Sequence, residues 1–118
     1  MGTEDHVMKV GVIEHFDSMH LLPGHRKCGV PHGHTYRVEA TVEGPVVNGM
    51  VVDFDLLKSS LRELLKGYDH KDLNTLIPYP SCENISTDIL ANLKGRLPAG
   101  RLTIRVWEGE GKWAEAEG

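Results

Sequence analysis

At 118 residues the chain suits one domain with one core, and its 40% hydrophobic and 25% charged residues are ordinary for a globular protein. A formal net charge of −4 speaks against a nucleic-acid or anionic-membrane binder, which needs a basic face. No apolar run approaches the roughly 20 residues of a membrane span, residues 1–9 are too polar for a signal peptide, and two cysteines make no disulfide framework, so a reducing cytoplasm is the expected setting.

No repeat, low-complexity segment or linker interrupts the chain, which reads as a single domain over 1–118. Residues 7–17, VMKVGVIEHFD, predict a strand with Met8, Val10, Val12 and Phe16 on one face, interrupted there by Glu14. Residues 34–43 alternate cleanly, with Tyr36, Val38, Ala40 and Val42 opposite Arg37, Glu39, Thr41 and Glu43. The stretch GPVVNGM reads as a turn region, through Gly44, Pro45, Asn48 and Gly49.

The period then changes. Phe54, Leu57, Leu61, Leu64, Leu65 and Tyr68 recur at spacings of three and four, which predicts an amphipathic helix over 55–66 ended by Gly67. YDHKDLN leaves it as a polar connection. A second helix is expected over 83–94, with Ile85, Ile89, Leu90 and Leu93 inward and Ser81 as a possible cap. Residues 101–108 alternate as a strand, and KWAEAE can add a short last one. The order β-β-α-α-β-β predicts an α+β fold, an antiparallel sheet with both helices on one face.

Chemistry concentrates in CGVPHGHTY, residues 28–36. In a strand, residues i and i+2 share a face, so His32 and His34 stand side by side, and Gly33 avoids a side chain that would crowd the opposite face. If the first two strands pair antiparallel, His20 in FDSMH arrives at the same end of the sheet. Three histidines make a zinc set with an open fourth position, whereas Cys28 as a fourth ligand would make a closed site. HGH as a satisfied polar turn is the bland alternative.

Cys28 beside a metal or a cationic histidine would have a lowered pKa and could act as base or nucleophile. An isolated cysteine is more often a small buried residue, the reading adopted for Cys82. Asp69–His70 follows the first helix, where a carboxylate could orient an imidazole for proton transfer. His25, Arg26 and Lys27 read as a solvated loop that could attract phosphate beside a metal site. Leu102, Ile104 and Val106 share a strand face whose next position is Glu108, so an alternating strand ends by aiming a carboxylate toward the apolar side. Such a group needs a partner or must stay wet.

Taken in order, FDSMH, CGVPHGHTYRVEATVEG, GMVVDF, YDHKDLN, SCENIS and RVWE resemble the 6-pyruvoyl-tetrahydropterin synthase family, and the spacing from Cys28 to HGH resembles its 6-carboxy-tetrahydropterin synthase branch, which serves 7-deazaguanine (queuosine or archaeosine) synthesis. The resemblance implies the tunnelling fold, with sheets of several subunits joined into a barrel in a homo-oligomer, a trimer or a hexamer made as a dimer of trimers. It implies one Zn2+ per chain on His20, His32 and His34, Cys28 as the proton-abstracting base, and Asp69 with His70 as its partners. It further implies a small-molecule pterin triphosphate substrate anchored by Glu108, with no nucleic-acid or membrane partner. Gly109 stands where many relatives carry threonine, and Ser18 with Met19 where two small residues are usual.

Overall fold

The computed structural model describes residues 3–26, 29–98 and 100–118. Four strands, β1 (Thr3–His20), β2 (His32–Val47), β3 (Arg101–Glu108) and β4 (Lys112–Glu117), form one antiparallel sheet in the order β1-β2-β3-β4. Two helices, α1 (Phe54–Leu65) and α2 (Cys82–Lys94), lie between β2 and β3 in sequence. Helix α1 packs on β1, and α2 on β3 and β4. No described helix is long and apolar enough to cross a membrane.

Strand parity decides which face is covered. Phe16, Tyr36, Val38, Ala40, Val42, Leu102, Ile104 and Val106 are buried, and all are even-numbered positions of paired strands. Leu57, Leu61, Leu64 and Leu65 of α1 and Ile85, Ile89 and Leu93 of α2 close over them. Asp53 caps α1 by accepting from the Asp55 amide at 2.8 Å, and Ser81 caps α2 through the Asn84 amide at 3.2 Å. The opposite face is polar and cross-linked, with Arg101 on Glu117, Arg105 on Glu115, and the Arg105 guanidinium 3.8 Å from the Trp113 ring.

Four expectations need correction. Met8 and Phe54, assigned to the apolar faces, are 53% and 56% exposed, and both line, with Met50, a surface groove outside the core. The turn is shorter than the stretch GPVVNGM. β2 continues through Gly44 and Pro45 to Val47, and only Asn48–Gly49, with φ of 53° and 82°, reverses the chain. That is the two-residue hairpin geometry Asn-Gly favours, and Val47 and Met50 exchange backbone bonds of 2.9 and 3.2 Å across it. Pro45 is tolerated because β3 pairs with β2 only from Tyr36 to Glu43.

The connection after α1 is not wholly polar either, since Leu73 is fully buried at the start of a 3-10 turn, Leu73–Thr75. Finally, Glu14 does not break the face of β1. Lys58 and Arg62 of α1 reach its carboxylate at 2.9 and 3.0 Å. Burial alone would raise its pKa, and these two cations hold it below the usual carboxylate range.

Candidate metal centre and active site

The sheet register assembles the histidines. His20 and His32 are direct cross-strand partners at the ends of β1 and β2, and His34 follows on the same face two residues on. His20 is fully buried, and its Nδ1 lies 2.7 Å from the carbonyl of Pro80, just before α2. His32 Nδ1 lies 2.8 Å from the Val30 carbonyl. A carbonyl only accepts, so both Nδ1 atoms donate, and in neutral rings both Nε2 atoms then carry lone pairs. These two Nε2 atoms lie 2.9 Å apart, an arrangement that requires a proton or a cation between them.

His34 extends the same logic. Burial lowers its pKa, an effect opposed by the Glu108 carboxylate and reinforced by His32 and His20. Its Nε2 is buried without a hydrogen-bond partner among the described residues, although Glu108 Oε1 is 2.9 Å away, off the line a hydrogen bond needs. Donor atoms of His20, His32, His34 and Glu108 all lie within 4.8 Å of one another. An orphaned imidazole nitrogen and two opposed lone pairs are what a divalent cation would satisfy, and nitrogen with carboxylate oxygen suits zinc chemistry.

The Asp69–His70 pair docks onto the same stretch of β1. The Asp17 amide donates to Asp69 Oδ1 at 2.9 Å, the His70 amide to the Asp17 carbonyl at 2.6 Å, and the Met19 amide to the Lys71 carbonyl at 3.0 Å. Between them Ser18, a buried hydroxyl, donates to the Tyr68 carbonyl and accepts from the Lys71 amide at 3.1 Å. His70 is held in the left-handed region at φ 54°, unusual for a residue with a side chain, and its Nδ1 rests 2.7 Å from Asp69 Oδ2. An open cleft of about 580 Å³ is lined by His34 and Thr35 on one side and His70 and Asp72 on the other.

The Asp17 amide first, and His70 second, hold the Asp69 carboxyl below its ordinary value near 3.8. A depressed carboxyl contributes to loop docking in full above that ordinary value, and the contribution is lost as pH falls through the lowered one. An NMR titration should therefore show the Asp17 amide shifting with a midpoint below the ordinary carboxylate range, and no such transition in Asp69→Asn. A midpoint at or above the ordinary value would mean the docking bond is absent in solution.

Cys28 and Lys27 lie outside the described residues. Gly33 needs another explanation than crowding, because a Cβ there would meet only the Ser18 carbonyl at 3.9 Å. It lines the cleft, where a side chain would take up space. Cys82 lies at the edge of the site, its Sγ 3.9 Å from Glu108 Oε2. Burial and then the Glu108 carboxylate push its thiol up to about 12, so it is protonated at neutral pH. Sequence reasoning assigned Ser18 no role in the site and overlooked the Pro80 carbonyl. Ser18 carries a signal in its parity, a small hydroxyl on the apolar face of β1, whereas Pro80 carries none.

The sequence matches the 6-pyruvoyl tetrahydropterin synthase family over residues 9–118. The chain belongs to that family. A protein of Archaeoglobus fulgidus, named "putative 6-carboxy-5,6,7,8-tetrahydropterin synthase", is 43% identical over 92% of this chain and 94% of its own length. A "dihydroneopterin monophosphate aldolase" of Pyrococcus furiosus is 39% identical over 73% of this chain and 77% of its own length. The 6-pyruvoyl tetrahydropterin synthase of Caenorhabditis elegans superposes with a TM-score of 0.83, covering 96% of each chain at 21% identity. The α+β architecture of this synthase family, the tunnelling fold, is thus the fold of the present chain.

Proposed function

We propose that the protein is a zinc-dependent lyase that converts 7,8-dihydroneopterin triphosphate to 6-carboxy-5,6,7,8-tetrahydropterin, releasing acetaldehyde and triphosphate. The observation that carries this reading is the one cleft shared by His34 of the histidine cluster and His70 of the Asp69–His70 pair. The high identity to the A. fulgidus relative across nearly both whole chains supports the 6-carboxy branch, as does the three-residue spacing between Cys28 and His32.

His20, His32 and His34 would hold the metal, and bound zinc supplies a Lewis acid for the side-chain hydroxyls of the substrate. Cys28 acts as the base that removes a carbon-bound proton, and His70, oriented by Asp69, carries protons on the other face. Glu108 accepts the paired N–H groups of the pterin's amino-pyrimidinone edge. Assembly into a homo-oligomer fits the sheet, whose outer strands β1 and β4 each have one strand neighbour among the described residues. The 69–72 loop covers the other edge of β1 only near residues 17–19, which leaves the rest of an 18-residue strand open to strand addition.

The runner-up is 6-pyruvoyl synthesis, which stops after triphosphate elimination and internal redox. The test is mass spectrometry of the products formed by metal-loaded protein from dihydroneopterin triphosphate and, separately, from the monophosphate. A 6-carboxy product with acetaldehyde is expected from the triphosphate. A 6-pyruvoyl product would select the runner-up, cleavage of the monophosphate alone would select the aldolase chemistry named for the P. furiosus relative, and no turnover would leave a pterin- or zinc-binding protein.

A further inference from the structure

A buried hydroxyl stands between the histidine cluster and the Asp69–His70 loop. Ser18 is 8% exposed, two residues before His20 and directly opposite His34 across the β1–β2 pairing. A hydroxyl taken out of water has to be satisfied as donor and as acceptor, or its desolvation is a net cost. Ser18 meets both needs at one loop. It donates to the Tyr68 carbonyl and accepts from the Lys71 amide at 3.1 Å. Those two backbone groups flank Asp69 and His70, so a single side chain bridges the loop on either side of the pair.

The pair depends on such anchoring. His70 adopts φ 54°, a left-handed conformation that is strained for any residue with a Cβ. Its side chain is 79% exposed, so packing contributes little to its placement, and its contact with Asp69 Oδ2 fixes it only relative to a neighbour. The imidazole therefore goes where the backbone of residues 68–71 puts it. Asp17 and Met19 dock that backbone along β1 through their own main-chain groups, and Ser18 adds a side chain of the same strand. Without the hydroxyl, the Tyr68 carbonyl and the Lys71 amide lose these partners beside a strained residue, and the loop gains by relaxing away from β1.

We propose that Ser18 is a positioning residue. Its hydroxyl holds the 68–71 loop against β1, so that His70 keeps its strained backbone and a fixed place across the cleft from His34. The catalytic side of this role rests on the function proposed above, in which His70 carries protons. Rate depends steeply on where a proton carrier stands, and a misplacement of about 1 Å can cost about 10²-fold. Ser18 ties the spacing between the two halves of the site to the strand that carries His20.

The test separates anchoring from catalysis. Amide hydrogen exchange is followed by NMR in wild type and Ser18→Ala, with folding checked by circular dichroism and zinc content by elemental analysis. The His70 amide donates to the Asp17 carbonyl and not to Ser18, so its exchange reports the loop and not the missing hydroxyl itself. It is expected to exchange about tenfold or more faster in Ser18→Ala, while amides shared by β2 and β3 keep their rates. Equal rates at His70 would overturn the anchoring. Single-turnover and steady-state kinetics of zinc-loaded protein with dihydroneopterin triphosphate are expected to show a fall of about tenfold or more in kcat, with KM and zinc content unchanged. In a His70→Ala background, Ser18→Ala should then cost almost nothing further, because both changes act on one imidazole. An equal fall in both backgrounds, or zinc lost in Ser18→Ala, would make Ser18 a structural residue only. Should Ser18→Ala not fold, Ser18→Cys carries the same readings, being close in volume but a weak hydrogen-bonding group. Wild-type protein without turnover would overturn the proposed function and this catalytic role together, while exchange at His70 would still decide the anchoring.

Discussion

Replacing His34 by alanine should release most of the bound zinc and lower turnover by about 10³-fold or more, because the Lewis-acid contribution to such a reaction amounts to several kcal/mol. His34 is the most informative of the three histidines because of its surroundings. His20 is fully buried and tied to the Pro80 carbonyl, so its loss would leave a cavity and an unpaired acceptor and would confound metal loss with unfolding. His34 keeps a quarter of its side chain exposed, and its Nε2 has no hydrogen-bond partner among the described residues. Its removal should leave the sheet intact by circular dichroism while elemental analysis falls from one zinc per chain. A full complement of zinc in His34→Ala would exclude it as a ligand and leave His20, His32 and Glu108 as the candidate donors.

Cys28→Ala should do the reverse, keeping the zinc and losing turnover by about 10²-fold or more. Among the described residues, His20, His32, His34 and Glu108 supply four candidate ligands. A cysteine required for the chemistry but not for the metal fits the role of base, and its loss should remove the rate without removing the ion. Elemental analysis and single-turnover product formation on the same preparation separate the two. Zinc lost together with activity would instead make Cys28 a ligand.

Much of the fold is legible in local pattern. Strict alternation in residues 34–43 and 101–108, and the three-and-four spacing of Leu57, Leu61, Leu64 and Leu65, are direct imprints of which face is buried. At Met8 and Phe54 the pattern misleads, since both are apolar on schedule yet line a groove outside the core. The meeting of His20 with His32 is also foreseeable, since antiparallel pairing of consecutive strands returns the chain to its own end. What sequence spacing could not supply is the depth of the site. Glu108 reaches the histidines through the pairing of β2 with β3, and its off-line approach to His34 is a matter of side-chain direction. The clamp on the Asp69–His70 loop is equally hidden, because it consists largely of backbone bonds that any residue type could make.

That clamp bears on how the site comes into being during folding. Asp17 and Asp69 are 52 residues apart, and His20 and the Pro80 carbonyl 60, whereas His32 and His34 are neighbours in any conformation. Contacts of such separation form only after long loops have closed, which makes them late and slow. The three histidines themselves lie within residues 20–34, so the unfolded chain can offer them to an incoming ion across a short loop, while Glu108 and the Pro80 carbonyl join only in the finished molecule. Metal supply would then favour the folded chain only by the margin that the fixed geometry of the finished site adds to this local affinity.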